Sequence, residues 1–332
     1  MLCVSTKEKI YKIDISLLQF EEEFEVRDIR TFDNFNNEYE YNNIIIYGNY
    51  CVNYNKRQFI IKNLNGEIVF ESHEFSDYIY DIKIKNNKIF IFTYIHLSSS
   101  TSIRPINKCY IYNIFNFEKL DEFTMYNNTG DYLAVFNGYF SFLQVNNNGT
   151  KILINDYTDI HIFNIENKIT NSIPKRQLLK NNSNYFHIYW SYDDNYIFIN
   201  SYNETILYDV NEFKIDNKFE VNYHIYDIFN NENYVVILCI INNCYYINIY
   251  KQYTFEFLNR VKMCFLFNNN FFILSEHTNY LFYVTIEEDD IILGYYNIDN
   301  NKFSYISLTE DFDYYDFNNS QLFYGENSPV LW

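Results

Sequence analysis

The 332-residue sequence is poor in the residues that usually punctuate a chain. It has 7 glycines, 3 prolines and one alanine, Ala134. Alanine is the strongest helix former, so its near absence argues against a helical bundle. Seven glycines leave little to build phosphate-cradling loops. No Gly-x-Gly-x-x-Gly, Walker-type, Gly-x-Ser-x-Gly or His-Glu-x-x-His pattern occurs. No apolar run reaches the roughly 18 residues of a transmembrane helix. Lys7, Glu8 and Lys9 interrupt the first apolar residues, so no secretory leader is expected. Basic residues are outnumbered, 25 against 43 acidic, for a formal charge of −18. That balance speaks against a nucleic-acid groove or an anionic membrane surface, both of which need concentrated Lys and Arg. The expected counterpart is a protein partner carrying basic patches.

What the chain does contain favours strands. Asn occurs 51 times, Ile 45, Tyr 36 and Phe 32, a bias toward residues with A/T-rich codons. Aromatic and β-branched residues suit pleated sheets, and an apolar content of 48% excludes a disordered chain. The six cysteines (Cys3, Cys51, Cys109, Cys239, Cys244, Cys264) are expected to be reduced, in the cytoplasm. Asn-x-Ser/Thr sequons such as Asn148-Gly149-Thr150 then follow from the abundance of Asn.

A repeat lies under this composition. Asn or Asp sits between apolar residues in Ile13-Asp14-Ile15, Lys62-Asn63-Leu64, Tyr112-Asn113-Ile114, Phe163-Asn164-Ile165, Tyr208-Asp209-Val210, Ile247-Asn248-Ile249 and Tyr296-Asn297-Ile298. The seven anchors are separated by 49, 50, 51, 45, 39 and 49 residues, and joining the chain ends gives a further interval of 49. A closing interval that matches the mean spacing of about 47 predicts a ring rather than an open solenoid. Upstream of each anchor stands an Asn/Asp-rich turn: Asn42-Asn43, Asn86-Asn87, 146–149, 193–195, 230–233, 268–270 and Asn318-Asn319. Asn and Asp accept left-handed backbone angles, which tight hairpins need.

Each repeat therefore reads as four strands, in the second repeat 78–85, 89–95, 109–114 and 119–126. The expectation is one domain over residues 1–332, an all-β, seven-bladed β-propeller with four-stranded antiparallel blades. The closing blade is shared: C-terminal strands at 313–317 and 321–325 join N-terminal strands at 9–15 and 19–26. Six or eight blades stand as alternatives, because 280–286 reads as an additional strand.

At the anchors the chain resembles a degenerate WD-repeat protein. The family's third strand commonly ends in Trp-Asp, and here that place reads Tyr112-Asn113, Phe163-Asn164, Tyr208-Asp209 and Tyr296-Asn297. Lys62, Ile13 and Ile247 depart from the aromatic, and the family's Gly-His pair is missing from every copy, so its hydrogen-bond network is not carried over. With its Asn/Ile/Tyr/Phe bias the chain is similar to the WD-repeat halves of giant-virus BTB/POZ and WD-repeat proteins. No BTB segment precedes the repeats, so a ubiquitin-ligase adaptor role is not expected.

Chemistry-bearing residues are dispersed. His73, His96, His161, His187, His224 and His277 fall one per region, and Cys239 and Cys244 flank a hairpin at Asn242-Asn243 with no second ligand pair. No catalytic residue, cofactor or metal is expected. The acidic run Glu21-Glu22-Glu23 with Glu25 falls on an outer edge strand, where charge blocks sheet-to-sheet association. The run at 287–290 reads as a turn. Two cationic insertions stand out. Residues 96–108 (HLSSSTSIRPINK) link second and third strands and carry Arg104 and Lys108, and residues 171–184 link one blade to the next and carry Lys175 and Arg176. Both connection types emerge on one propeller face, so these four residues form a candidate partner-binding rim. The leading functional expectation is a non-catalytic protein-interaction scaffold. A structural component of a virion or other large assembly is the alternative, and an enzyme acting at the central channel is a third.

Overall fold

The computed structural model describes residues 2–5, 9–14, 19–25, 43–47, 50–63, 67–94, 103–126, 134–136, 143–155, 158–178, 186–201, 204–220, 224–242, 244–263, 271–274, 279–287, 290–307 and 321–324. Among them the chain is all-β, apart from one helical turn at Lys175–Leu178 (α1). Strands β1 (Leu2–Ser5), β2 (Lys9–Asp14) and β3 (Gln19–Glu25) open it. Sheet 1 follows with β4 (Asn43–Tyr47), β5 (Tyr50–Tyr54), β6 (Phe59–Asn63) and β7 (Ile68–Glu71). Sheet 2 has β8 (Tyr78–Lys85), β9 (Lys88–Tyr94), β10 (Ile103–Asn113) and β11 (Lys119–Thr124), with β12 (Ala134–Phe136) added to β10. Sheet 3 has β13 (Leu143–Val145), β14 (Lys151–Asn155), β15 (Asp159–Asn164) and β16 (Ile169–Pro174). Sheet 4 has β17 (Phe186–Trp190), β18 (Tyr196–Ser201), β19 (Glu204–Asp209) and β20 (Lys214–Glu220). Sheet 5 has β21 (His224–Asn230), β22 (Tyr234–Ile241), β23 (Cys244–Lys251) and β24 (Phe257–Lys262). Sheet 6 has β25 (Phe271–Leu274), β26 (Tyr280–Glu287), β27 (Asp290–Asn297) and β28 (Lys302–Ser307). Finally β29 (Gln321–Tyr324) pairs antiparallel with β1, giving a terminal sheet of order β29-β1-β2-β3.

The core lies between the sheets, not within them. One cluster joins Val52, Phe59 and Ile61 of sheet 1 to Ile82, Ile91 and Tyr112 of sheet 2. Others join sheets 2 and 3 (Phe92, Phe123, Ile152, Phe163), 3 and 4 (Leu153, Ile162, Ile197, Tyr208), 4 and 5 (Phe198, Leu207, Ile237), and 5 and 6 (Val236, Ile249, Leu281, Tyr296). Phe123 and Phe163 stack across sheets 2 and 3 with ring centroids 5.1 Å apart, and Phe59 meets Tyr112 edge to face at 5.5 Å. This layering explains the uninterrupted apolar strands. Five consecutive residues of β9, and five of β22, are buried because each strand is covered on both faces. Fourth strands such as β24 are mainly exposed.

The structure moves several sequence-based boundaries. Tyr280–Glu287 is no additional strand; it is the second strand of sheet 6, and Phe271–Leu274 is the first. The terminal sheet draws three strands from the N-terminus and one from the C-terminus, because Leu2–Ser5 fills the second place. Residues 313–317 and the turns at 268–270 and Asn318-Asn319 lie outside the described residues. Asn43 opens β4 instead of turning a hairpin. Of the expected insertion at 96–108, the described residues 103–108 are strand: β10 begins at Ile103, and Ile103, Arg104 and Pro105 pair with Phe136, Val135 and Ala134 of β12.

The anchor of sheet 5 also moves. Asn113, Asn164, Asp209 and Asn297 each accept, through Oδ1, the backbone N–H groups two and three residues on, at 2.8–3.3 Å. Four residues past each stands a positive φ, at Phe117, Lys168, Phe213 and Asn301. In sheet 5 the positive φ is at Phe255, so the equivalent position is Lys251, whereas Asn248 lies buried in mid-β23. The ladder irregularities agree. They fall at Lys12/Ile13, Ile61/Lys62, Ile111/Tyr112, Leu207/Tyr208 and Ile249/Tyr250, immediately before positions 14, 63, 113, 209 and 251. The spacings after Asp209 become 42 and 46, closer to the others.

Candidate functional site

Two kinds of connection sit at each sheet's ends, and together they fix what the surface can present. At one end the first–second and third–fourth turns are locked to each other. The backbone N–H one residue past the anchor donates to the carbonyl just before the second strand: Ile114 to Asn87, Ile165 to Thr150, Val210 to Asn195, Gln252 to Asn233 and Ile298 to Asn279, at 2.8–3.0 Å. Asn86 and Asn87 both have positive φ, the geometry of a tight hairpin turn with a twist that matches its strands.

These turns also tie neighbouring sheets. Asp194, buried between β17 and β18, accepts the N–H groups of Asn147 and Asn148 at 2.8 Å and the Asn146 amide at 3.0 Å. Burial raises its pKa, and those backbone N–H groups pull it back. Asn86 donates to the Asn148 carbonyl at 3.0 Å, and Lys85 to Asn147 Oδ1 at 3.1 Å. Sheets 2, 3 and 4 are thus joined through one chain of Asn and Asp groups.

A second inter-sheet link was legible only as a repeated tetrapeptide. Ile79-Tyr80-Asp81-Ile82 in β8 and Ile225-Tyr226-Asp227-Ile228 in β21 have the same sequence. Each Asp stands at a register shift in a first strand. Tyr54 donates to Asp81 at 3.4 Å, Tyr189 donates to Asp227, and each Asp Oδ1 also accepts the next backbone N–H at 2.8 Å. Burial pushes Asp227 up to about 6 and both tyrosines well above their usual value.

The cationic residues fall at the opposite end of their sheets. Arg104 lies in the part of β10 paired with β12, and β12 lies against β14 of sheet 3. Lys108, further along β10, is ion-paired with Glu122 at 2.6 Å, and that hydrogen bond raises its pKa. Lys175 and Arg176 form the first half of α1, which continues β16; the Lys175 N–H donates to the Thr158 carbonyl at 3.0 Å. Arg176 is exposed. The β10–β12 pair and α1 therefore occupy the same end of adjacent sheets, where second–third connections emerge. Residues 95–102 and 179–185 lie outside the described set.

The other flagged residues take structural places. Glu21, Glu22, Glu23 and Glu25 are in β3, the outer strand of the terminal sheet, and the run at 287–290 joins β26 to β27. Cys51, Cys109 and Cys239 are buried thiols, and none is in a disulfide among the described residues. Burial raises the Cys109 pKa and takes Cys239 to about 12, so neither is a ready nucleophile. His161, buried on β15, meets Ser172 Oγ of β16 at 2.8 Å through Nδ1. His73 is exposed, its ring 4.9 Å from that of Phe75. His96, His277 and Cys264 lie outside the described residues. No group of three or more His, Cys, Asp or Glu able to hold a metal occurs among the described residues.

Four-stranded antiparallel sheets, each packed face to face on the next in sequence, define a β-propeller. The comparison with solved structures agrees. The chain is similar to the dihydro-heme d1 dehydrogenase NirN in complex with DHE, with TM-score 0.54, 9% identity, 96% of this chain and 75% of that one covered. It is similar to Kluyveromyces lactis Hsv2, with TM-score 0.53, 10% identity, 92% of this chain and 93% of that one. Both are β-propeller proteins, and at these identities the likeness shows the fold alone. No protein-family model matches the sequence, and no curated protein matches it.

Proposed function

We propose that the chain is a non-catalytic protein-interaction scaffold, a seven-bladed WD40-like ring spanning residues 1–332 and closed by the terminal sheet. Seven sheets among the described residues and the β1–β29 pairing support that ring. So do the first strands that lie side by side, β8 with β13, β21 with β25, and β25 with β29. Among the described residues no helix is long and apolar enough to cross a membrane. We also take the cysteines as reduced and the protein as cytoplasmic, an expectation drawn from the sequence.

The observation that carries the reading is the β10–β12 extension. It is the one place among the described residues where a sheet departs from the four-stranded plan, and it brings Arg104 into a chain of charge −18. Lys108, Lys175 and Arg176 stand at the same end of the two adjacent sheets. A rigid ring with one cationic rim suits an acidic patch on a protein partner, while the remaining acidic surface favours a basic one. Replacing Arg104, Lys108, Lys175 and Arg176 together by Ser should lower partner recovery in affinity purification from the native cell at least several-fold, with an unchanged Tm. Full recovery by the quadruple variant would reject this rim as the site.

A further inference from the structure

Sheets 5 and 6 leave an open cleft of about 440 Å3 between them, lined by Tyr234, Ile249, Leu258, Asn259, Ile298, Asp299 and Asn301. It exists because the third–fourth turn of sheet 6 leans on the face of sheet 5. Ile298, one residue past the anchor Asn297, is buried there, and its N–H is held by the Asn279 carbonyl at 2.8 Å. The next residue, Asp299, is consequently fixed at the cleft. Tyr234 donates to its Oδ1 at 2.9 Å, and the Asn279 amide donates to both oxygens at 3.0 and 2.9 Å.

Every one of those donors is neutral, and among the described residues no Lys, Arg or His pairs with Asp299. The carboxylate is oriented but not neutralised. Asn301 also lines the cleft, its Oδ1 engaged by the Asn259 amide at 2.7 Å and Tyr296 at 2.6 Å. The acceptor that the cleft offers is therefore the Asp299 carboxylate. Leu258, 40% exposed, gives the cleft an apolar wall beside Tyr234. A carboxylate beside the carbon of Leu258 and Tyr234 matches a long cationic side chain, whose methylenes lie on carbon while its head reaches the carboxylate.

We propose that this cleft receives a Lys or Arg side chain of a protein partner, presented by a segment with apolar residues on either side. The net charge of −18 favours the approach of such a segment. This surface is separate from the cationic rim of sheets 2 and 3 and does not depend on it.

The test is selection from a library of random 12-residue peptides displayed on phage, panned against the full chain and counter-selected against a variant carrying Asp299→Asn and Leu258→Ser. Enriched peptides should carry Lys or Arg flanked by apolar residues. A synthetic copy should bind the wild type saturably by fluorescence anisotropy. Asp299→Asn, which keeps an oxygen for Tyr234, should weaken it at least tenfold, and Leu258→Ser, a change at an exposed side chain, several-fold. The Arg104/Lys108/Lys175/Arg176 variant should bind it as the wild type does, which separates this cleft from the other rim. Absence of enrichment over the counter-selected variant, enrichment of acidic or uncharged sequences, or equal binding by the Asp299→Asn and Leu258→Ser proteins would overturn the proposal.

Discussion

Tyr189 of β17 donates its phenol hydrogen to Asp227 Oδ1 of β21, so a single carboxylate links the first strands of sheets 4 and 5. The same oxygen accepts the Ile228 N–H at 2.8 Å. Tyr54, in the second strand β5, bonds Asp81 of β8 and so links sheets 1 and 2 through a like Tyr–Asp pair. The Asp227 link lies where neighbouring blades must not slide, and its ionisation gives stability a pH dependence.

Burial raises the Asp227 pKa to about 6, from an ordinary value of 3.8. Between those values the folded state holds a proton that the unfolded chain has released. Its stabilising contribution is complete below the unfolded pKa and is lost as pH rises through about 6. Asp227→Asn keeps an acceptor for Tyr189 and Ile228 without the charge. Urea unfolding at pH 4.5 and 7.5 should therefore show the variant gaining on the wild type by roughly 1–3 kcal/mol as pH rises. A wild-type-minus-variant difference that does not move with pH would refute the assignment.

Asp194 holds three donors from sheet 3 and is itself buried. Asp194→Ala would strand them, a loss of about 2–4 kcal/mol. Asn147 and Asn148 should also exchange their amide protons faster, read by hydrogen exchange with mass spectrometry.

Gly294 shows why even a chain with 7 glycines keeps one inside a strand. It faces Tyr283 across the β26–β27 ladder, and an added Cβ would stand 2.2 Å from the ring's Cζ. Gly294→Ala should cost roughly 1–3 kcal/mol by overpacking, and Tyr283→Leu in the same chain should recover part of that. Equal Tm for Gly294→Ala and wild type would count against this packing.

Lys251 occupies the turn position that Asn or Asp fills at 113, 164, 209 and 297. Lys251→Asn should let an Oδ1 accept the N–H groups of Tyr253 and Thr254. The exposed Lys251–Glu256 ion pair that it removes contributes little. A gain of about 0.5–1 kcal/mol is expected in chemical denaturation. Asn248→Ala should instead destabilise, since Asn248 is buried and accepts from Arg260 Nε at 2.7 Å.

The repeat was legible where side-chain chemistry and backbone geometry coincide. Asn86-Asn87 and the anchors at 113, 164, 209 and 297 are Asn or Asp because the turn needs a left-handed residue or an acceptor for its own N–H groups. In sheet 5 a Lys takes that place, and the nearby Asn248 mimics the pattern within a strand. Ser98–Ser100 and Pro105 read as loop, yet strand β10 begins at Ile103 because β12, distant in sequence, supplies the pairing. The candidate cleft had no local signature: Asp299 and Leu258 are ordinary surface residues until sheets 5 and 6 bring them together. The Ile-Tyr-Asp-Ile repeat was visible in the letters, but its partners Tyr54 and Tyr189 come from neighbouring sheets.

The proposed ring requires the two ends of the chain to close it, and the β1–β29 register offers a direct measurement. Cys3 pairs with Phe323 across that ladder, and residues directly opposite in antiparallel strands have Cβ atoms about 4.5–5.5 Å apart, near enough for a disulfide after small adjustment. Phe323→Cys, oxidised under native conditions and digested for mass spectrometry, should yield a peptide linking Cys3 to the introduced cysteine, with a higher Tm that dithiothreitol reverses. Recovery of both thiols as separate, alkylated peptides from folded protein would contradict closure through this sheet.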